Sequence, residues 1–204
     1  MPIALQSFDV VVVGRFNPYI VTPQWLHKEG MCQSESAEVA IGWSPSGPSV
    51  FSFSLDDFRW QVSDSRLMVS ANTAGLDPAE RVARVVEKLP HTPVSALGHN
   101  FHYRSEIGKW EGGLPKIGEL DGQGIEQFGK LRQLSWSCAL ELHDLVFNMT
   151  LERREGSIEI NTNLHREVSE IEQVMEMAEG FGGDLALSHR LIQSITKERV
   201  ATND

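Results

Sequence analysis

Cysteine is nearly absent from this sequence. Cys32 and Cys138 are the two in 204 residues, and they form no CxxC pair. Two cysteines cannot build a disulfide framework, so the composition points to a reducing compartment. Long apolar runs are missing as well. The longest uninterrupted one is Val10 to Val13, and a helix needs about 20 apolar residues to span a bilayer. Residues 1–5 have neither the charged start nor the apolar stretch of a signal peptide. These absences predict a cytoplasmic protein with no membrane segment. Basic charge is scarce too, with 18 Lys and Arg against 28 Asp and Glu and a net charge of −10. No basic stripe is hidden in either half of the chain, and Arg153-Arg154 suits a solvated hairpin end. Such a surface repels a phosphate backbone, so no direct binding to nucleic acid is expected.

Motifs that carry chemistry are missing in the same way. There is no HxH, no HExxH and no Cys/His cluster among the seven histidines, so no metal is expected. There is no GxSxG, and neither cysteine has a histidine near it in sequence. Gly112-Gly113 and Gly182-Gly183 match neither the P-loop nor the dinucleotide fingerprint. Asp56-Asp57 and the glutamates of the stretch 168–179 read as solvated faces. No cofactor is expected.

What the sequence does contain is strand patterning. Phe8 to Gly14, with β-branched residues on both faces, reads as a buried central strand. Thr22, as N-cap, and Pro23 open a short helix to Lys28, which Gly30 stops. A meander follows, with alternation at Val39, Ile41 and Trp43, at Phe51, Phe53 and Leu55, at Phe58, Trp60 and Val62, and at Leu67, Val69 and Ala71. Asp77-Pro78 starts a helix with Val82, Val85, Val86 and Leu89 at helical spacing. Residues 93–104 form the next strand. A long connection, Ser105 to Asp121, carries Trp110, and a weak helix is placed around 122–131. Three more strands alternate over 133–142, 145–152 and 158–165. Helices near 168–179 and 184–197 close the chain, the last capped by Asp184. The predicted fold is α+β, with mostly antiparallel, meandering sheet of about nine strands covered by about five helices. It forms one domain over 1–204 or two packed halves, 1–104 and 105–204.

Three stretches carry a family resemblance. They are Asn17-Pro18 with Thr22-Pro23-Gln24-Trp25-Leu26; Phe58-Arg59-Trp60-Gln61-Val62-Ser63 with Arg66-Leu67; and Pro93-Val94-Ser95-Ala96-Leu97-Gly98-His99-Asn100-Phe101. Ser188-His189-Arg190 adds to them. Together they resemble a sporadically distributed bacterial family of uncharacterised α+β proteins. That resemblance implies the same fold class and a bacterial cytoplasmic setting. It carries no assigned activity.

Two features point to function. The first is the polar side of the later strands: Ser135, Ser137, Glu141, Asn148, Asn161, Asn163 and His165, joined by Asn100, His102 and Arg104 if the strand 93–104 belongs to that sheet. Short amides and hydroxyls lose little entropy on ordering and can hydrogen-bond a ligand or partner. Opposite them, Cys138 lies between Trp136 and Leu140 and reads as buried and inert, and His99 reads as a core histidine. The second feature is a strand over 50–55 with no lysine or internal proline to blunt an edge. Phe51, Phe53 and Trp110 are therefore candidate interface residues. The expectation is a non-enzymatic interaction or ligand-binding protein that forms a homodimer or joins another protein in a bacterial complex. The alternative is an enzyme with a pocket around His102, Arg104 and Glu141.

Overall fold

The computed structural model describes residues 3–34, 36–44, 47–106, 133–154, 156–196 and 200. Nine strands form one sheet in the order β2-β3-β4-β5-β1-β6-β9-β8-β7. In chain order they are β1 (Ala4–Gly14), β2 (Ala40–Ser44), β3 (Gly47–Leu55), β4 (Phe58–Val62), β5 (Arg66–Ala71), β6 (Val94–Glu106), β7 (Leu134–Leu142), β8 (Leu145–Arg154) and β9 (Ser157–Glu167). Meandering neighbours pair antiparallel, and β1 pairs antiparallel with β5. The helices are α1 (Pro23–Lys28), α2 (Pro78–Glu87), α3 (Ile171–Glu179) and α4 (Phe181–Thr196). The fold is α+β with an antiparallel sheet. Four helices lie among the described residues rather than five; the one expected over 122–131 lies outside them, as does Trp110.

Local signals set the element ends. Thr22 accepts from the Trp25 N–H and Pro23 opens α1. Asp77 accepts from the Ala79 and Glu80 N–H groups at the start of α2. Both caps fill backbone donors that have no partner within the helix. The last helix differs from expectation. It begins at Phe181, so Gly182-Gly183 sit inside its first turn, and Asp184 is buried rather than a cap. First-turn N–H groups make no intrahelical bond, which lowers the cost of glycine there.

The chain divides into two compact units. The larger comprises Ser7–Asn100 and His165–Gly182. In it α2 packs on β5 and α3, burying Val82, Val85, Val86 and Val174 with Val10, Val12, Trp60, Leu67 and Val69. His99 is fully buried there, edge-on to the Phe181 ring at 5.2 Å. The central strand is not buried on both faces. Val10 and Val12 are sealed, whereas Val11 is half-buried and Val13 is 41 % exposed.

The smaller unit comprises Met1–Gln6, Phe101–Leu164 and Gly183–Asp204. Phe101, Phe147, Met149, Leu151, Ile160, Leu164 and Ile192 form its core. A polar chain crosses that core. The Tyr103 hydroxyl lies 2.9 Å from Ser188 Oγ, and Ser188 Oγ lies 2.9 Å from Thr162 Oγ1. All three side chains are buried, and each finds its partner in the others, which is what makes hydroxyls tolerable there. Burial raises the Tyr103 hydroxyl's pKa above its ordinary value, against the lowering effect of the Ser188 hydrogen bond.

Candidate functional site

The polar side of the smaller unit is assembled by strand register. Ser135 faces Glu152, Ser137 faces Thr150, Ala139 faces Asn148 and Glu141 faces Val146. Directly opposed residues share a face, so Ser135, Ser137 and Glu141 stand on the side of Asn148 and Thr150. Asn148 Nδ2 donates to Asn163 Oδ1 at 3.2 Å, which adds β9. His102 Nδ1 lies 2.8 Å from Asn161 Oδ1. An amide oxygen only accepts, so Nδ1 carries the proton. His102, Asn148, Asn161 and Asn163 are half-buried, while Arg104, Ser135, Ser137 and Glu141 are exposed.

The face therefore brings together two amide-centred pairs, His102 with Asn161 and Asn148 with Asn163. It does not bring Glu141 to them. Strands β9 and β8 lie between β6 and β7, and three spacings of about 4.8 Å put roughly 14 Å between His102 and Glu141 across the sheet. That is far beyond the hydrogen-bond reach that shared acid–base work needs.

Asn100 and His165 belong to the larger unit. Asn100 Nδ2 donates to Asp9 Oδ1 at 2.5 Å. Asp9 opens a polar row that the sequence reading missed. Register sets Asp9 beside Ser70, Ser70 beside Arg59 and Arg59 beside Ser54. These residues and Gln61 line a groove of about 480 Å³. Asp9 is only 8 % exposed. The signal was present: a carboxylate directly before four valines belongs in a strand only if something receives it.

A second polar pocket, of about 430 Å³, lies between the end of α1 and the β3–β4 turn. Asp56 accepts from the Gln33 N–H at 2.7 Å and Arg81 donates to the Met31 carbonyl at 2.6 Å. Asp56 and Asp57 both have positive φ, 49° and 66°. The acidic pair is thus the two-residue turn of a hairpin, in which Asp56 clamps the loop after α1 while Asp57 is solvated as expected.

Two interface expectations meet a different arrangement. Strand β3 is no edge, since β2 and β4 flank it. Phe51 and Phe53 are 9 % and 3 % exposed and point into the core of the larger unit. Cys138 is half-buried rather than sealed, because β7 ends the strand order and its apolar side is only partly covered. Burial still raises the thiol pKa of Cys138, as it does that of Cys32, where Asp56 adds to the rise.

Among the described residues no group of three His, Cys, Asp or Glu is placed to hold a metal ion. No described helix is long and apolar enough to cross a membrane. No protein-family model matches the chain, and comparison with curated proteins gives no match.

Proposed function

We propose that this is a non-enzymatic interaction protein of the bacterial cytoplasm, belonging to the family it resembles and working as a homo-oligomer, most simply a dimer, or within a larger complex. The observation that carries the reading is the polar face of the smaller unit. It displays Asn148, Thr150, Asn161 and Asn163 half-buried, beside exposed Ser135 and Ser137. These side chains are short, uncharged and partly ordered by each other, so a partner meets preformed donors and acceptors at small entropic cost. The roughly 14 Å between His102 and Glu141 favours binding over catalysis by that pair. A net charge of −10 favours a protein partner over a nucleic acid.

The test is capture of partners by the tagged full chain in its source cells, read by mass spectrometry, with Asn161→Arg/Asn163→Arg in parallel. The expected result is a partner held by the wild type and lost from the double variant, with circular dichroism unchanged. Equal capture by both proteins would remove the polar face from the reading.

A further inference from the structure

We infer that β7 is the surface through which two copies of the chain join, strand against antiparallel strand, with Cys138 on the two-fold axis. This deepens the homo-oligomer reading above and rests on it.

The first observation is position. β7 ends the sheet order, and among the described residues β8 is its one strand neighbour. Its nine residues pair with β8 in unbroken register. The opposite end of the order, β2, has five residues and a register shift between Gly42 and Ser44; such an irregularity twists an edge away from partners. Among the described residues β7 shows no such irregularity. Its sequence, Leu-Ser-Trp-Ser-Cys-Ala-Leu-Glu-Leu, holds no lysine and no proline.

The second observation is self-complementarity. Centred on Cys138, antiparallel pairing sets Leu134 against Leu142 of the second copy, Trp136 against Leu140, and Cys138 against itself. On the other side Ser135 meets Glu141 and Ser137 meets Ala139. On the Leu134–Leu142 side every apolar side chain faces an apolar one. Two chains of net charge −10 repel, so the joining surface must be poor in charge. β7 carries one charged residue, Glu141, and this register sets it against a serine hydroxyl. The covering is needed on the apolar side, where Leu140 is 37 % exposed and Trp136 and Cys138 are half-buried.

The third observation is hydrogen-bond direction. The two-residue connection His143-Asp144 closes on the pair Leu142 and Leu145, and such a closing pair is hydrogen-bonded. Alternation then turns the N–H and C=O groups of Leu140, Cys138 and Trp136 toward β8. Those of Glu141, Ala139, Ser137 and Ser135 turn outward. With the axis at Cys138, outward groups of Ser137 meet those of Ala139 from the second copy, which forms a ladder. Cys138 becomes a non-hydrogen-bonded pair with Cα atoms about 4.5 Å apart, inside the range of about 4.4–6.8 Å that a disulfide spans.

The axis makes the test specific. Light scattering on the full chain at micromolar concentration should give twice the 22.8 kDa chain mass. Diamide, which takes up the two hydrogens of a facing thiol pair, should convert that dimer to a covalent one on a non-reducing gel. Cys32→Ser should keep the cross-link, and Cys138→Ser should lose it. Ala139→Pro removes an outward N–H, which an edge strand tolerates, and should raise the dissociation constant tenfold or more with circular dichroism unchanged. Ser137→Lys, which keeps the backbone donor, should do the same if the proline disturbs the fold. A monomeric mass overturns this inference together with the homo-oligomer reading. A dimer that withstands the edge variants, or that cross-links without Cys138, overturns this surface and leaves the homo-oligomer reading standing.

Discussion

Ser188 holds two other hydroxyls. It sits 2.9 Å from both Tyr103 and Thr162 in the core of the smaller unit. Ser188→Ala leaves Tyr103 without that partner and Thr162 with only the 3.4 Å bond to the Phe101 carbonyl. The expected cost is about 1–3 kcal/mol, read as a lower urea midpoint at unchanged slope. Next to it, His189 packs edge-on to Tyr103 at 5.6 Å, and burial pushes its pKa below the ordinary 6.5. The unfolded chain therefore takes up this proton more readily than the folded one. Stability is unaffected by His189 above about pH 6.5 and falls as the pH drops below it. His189→Gln should flatten the fall of melting temperature between neutral and acid pH. The half-buried helix face of His189 is legible in the sequence, because helical spacing from Leu185 to Ile192 is local. It gave no sign of the hydroxyl chain, whose members come from β6, β9 and α4.

Elements were legible where one residue sets the geometry. The caps of α1 and α2 follow from Thr22-Pro23 and Asp77-Pro78, and the strands from strict alternation. Coverage of each strand was not legible. Leu134, Trp136, Cys138, Leu140 and Leu142 alternate as cleanly as Leu145, Phe147, Met149 and Leu151, yet the second set is buried and the first is not. Alternation tells which face is apolar, while position in the sheet decides whether that face is covered. The same gap placed Phe51 and Phe53 on an edge, where β2 in fact stands. The β3–β4 turn offers a test at this scale. Asp57 holds φ of 66°, a region glycine enters without steric cost, whereas Asp56 is needed for its bond to Gln33. Asp57→Gly should gain about 0.5–1 kcal/mol, seen as a higher melting temperature. Asp56→Gly should gain less or lose, because it surrenders that clamp.

For the whole molecule the governing quantity is charge. Each chain brings −10 to any association with its own kind. The repulsion between two such bodies is long-ranged, and about 0.15 M salt confines it to roughly 8 Å. The dimer proposed here should therefore tighten as ionic strength rises from about 0.01 M to 0.15 M, as followed by sedimentation. A dimer held by ion pairs would loosen over the same range. Fold class, strand number and the polar face could be drawn from patterns a few residues long. The sheet order could not, because it depends on pairings such as β1 with β5 and the adjacency of β6 and β9, which no local spacing records.

That order has a consequence for how the chain is made. β1 leaves the ribosome before its sheet neighbours β5 and β6, residues 66–71 and 94–106. At about 5–20 residues per second, the run Val10 to Val13 waits several seconds with no strand beside it. Four consecutive valines are the kind of segment that nucleates aggregates, and flanking charges are the usual guard. Asp9 and Arg15 bracket the run in the sequence. The carboxylate that anchors the groove of the finished protein is thus also a sentry for the nascent one.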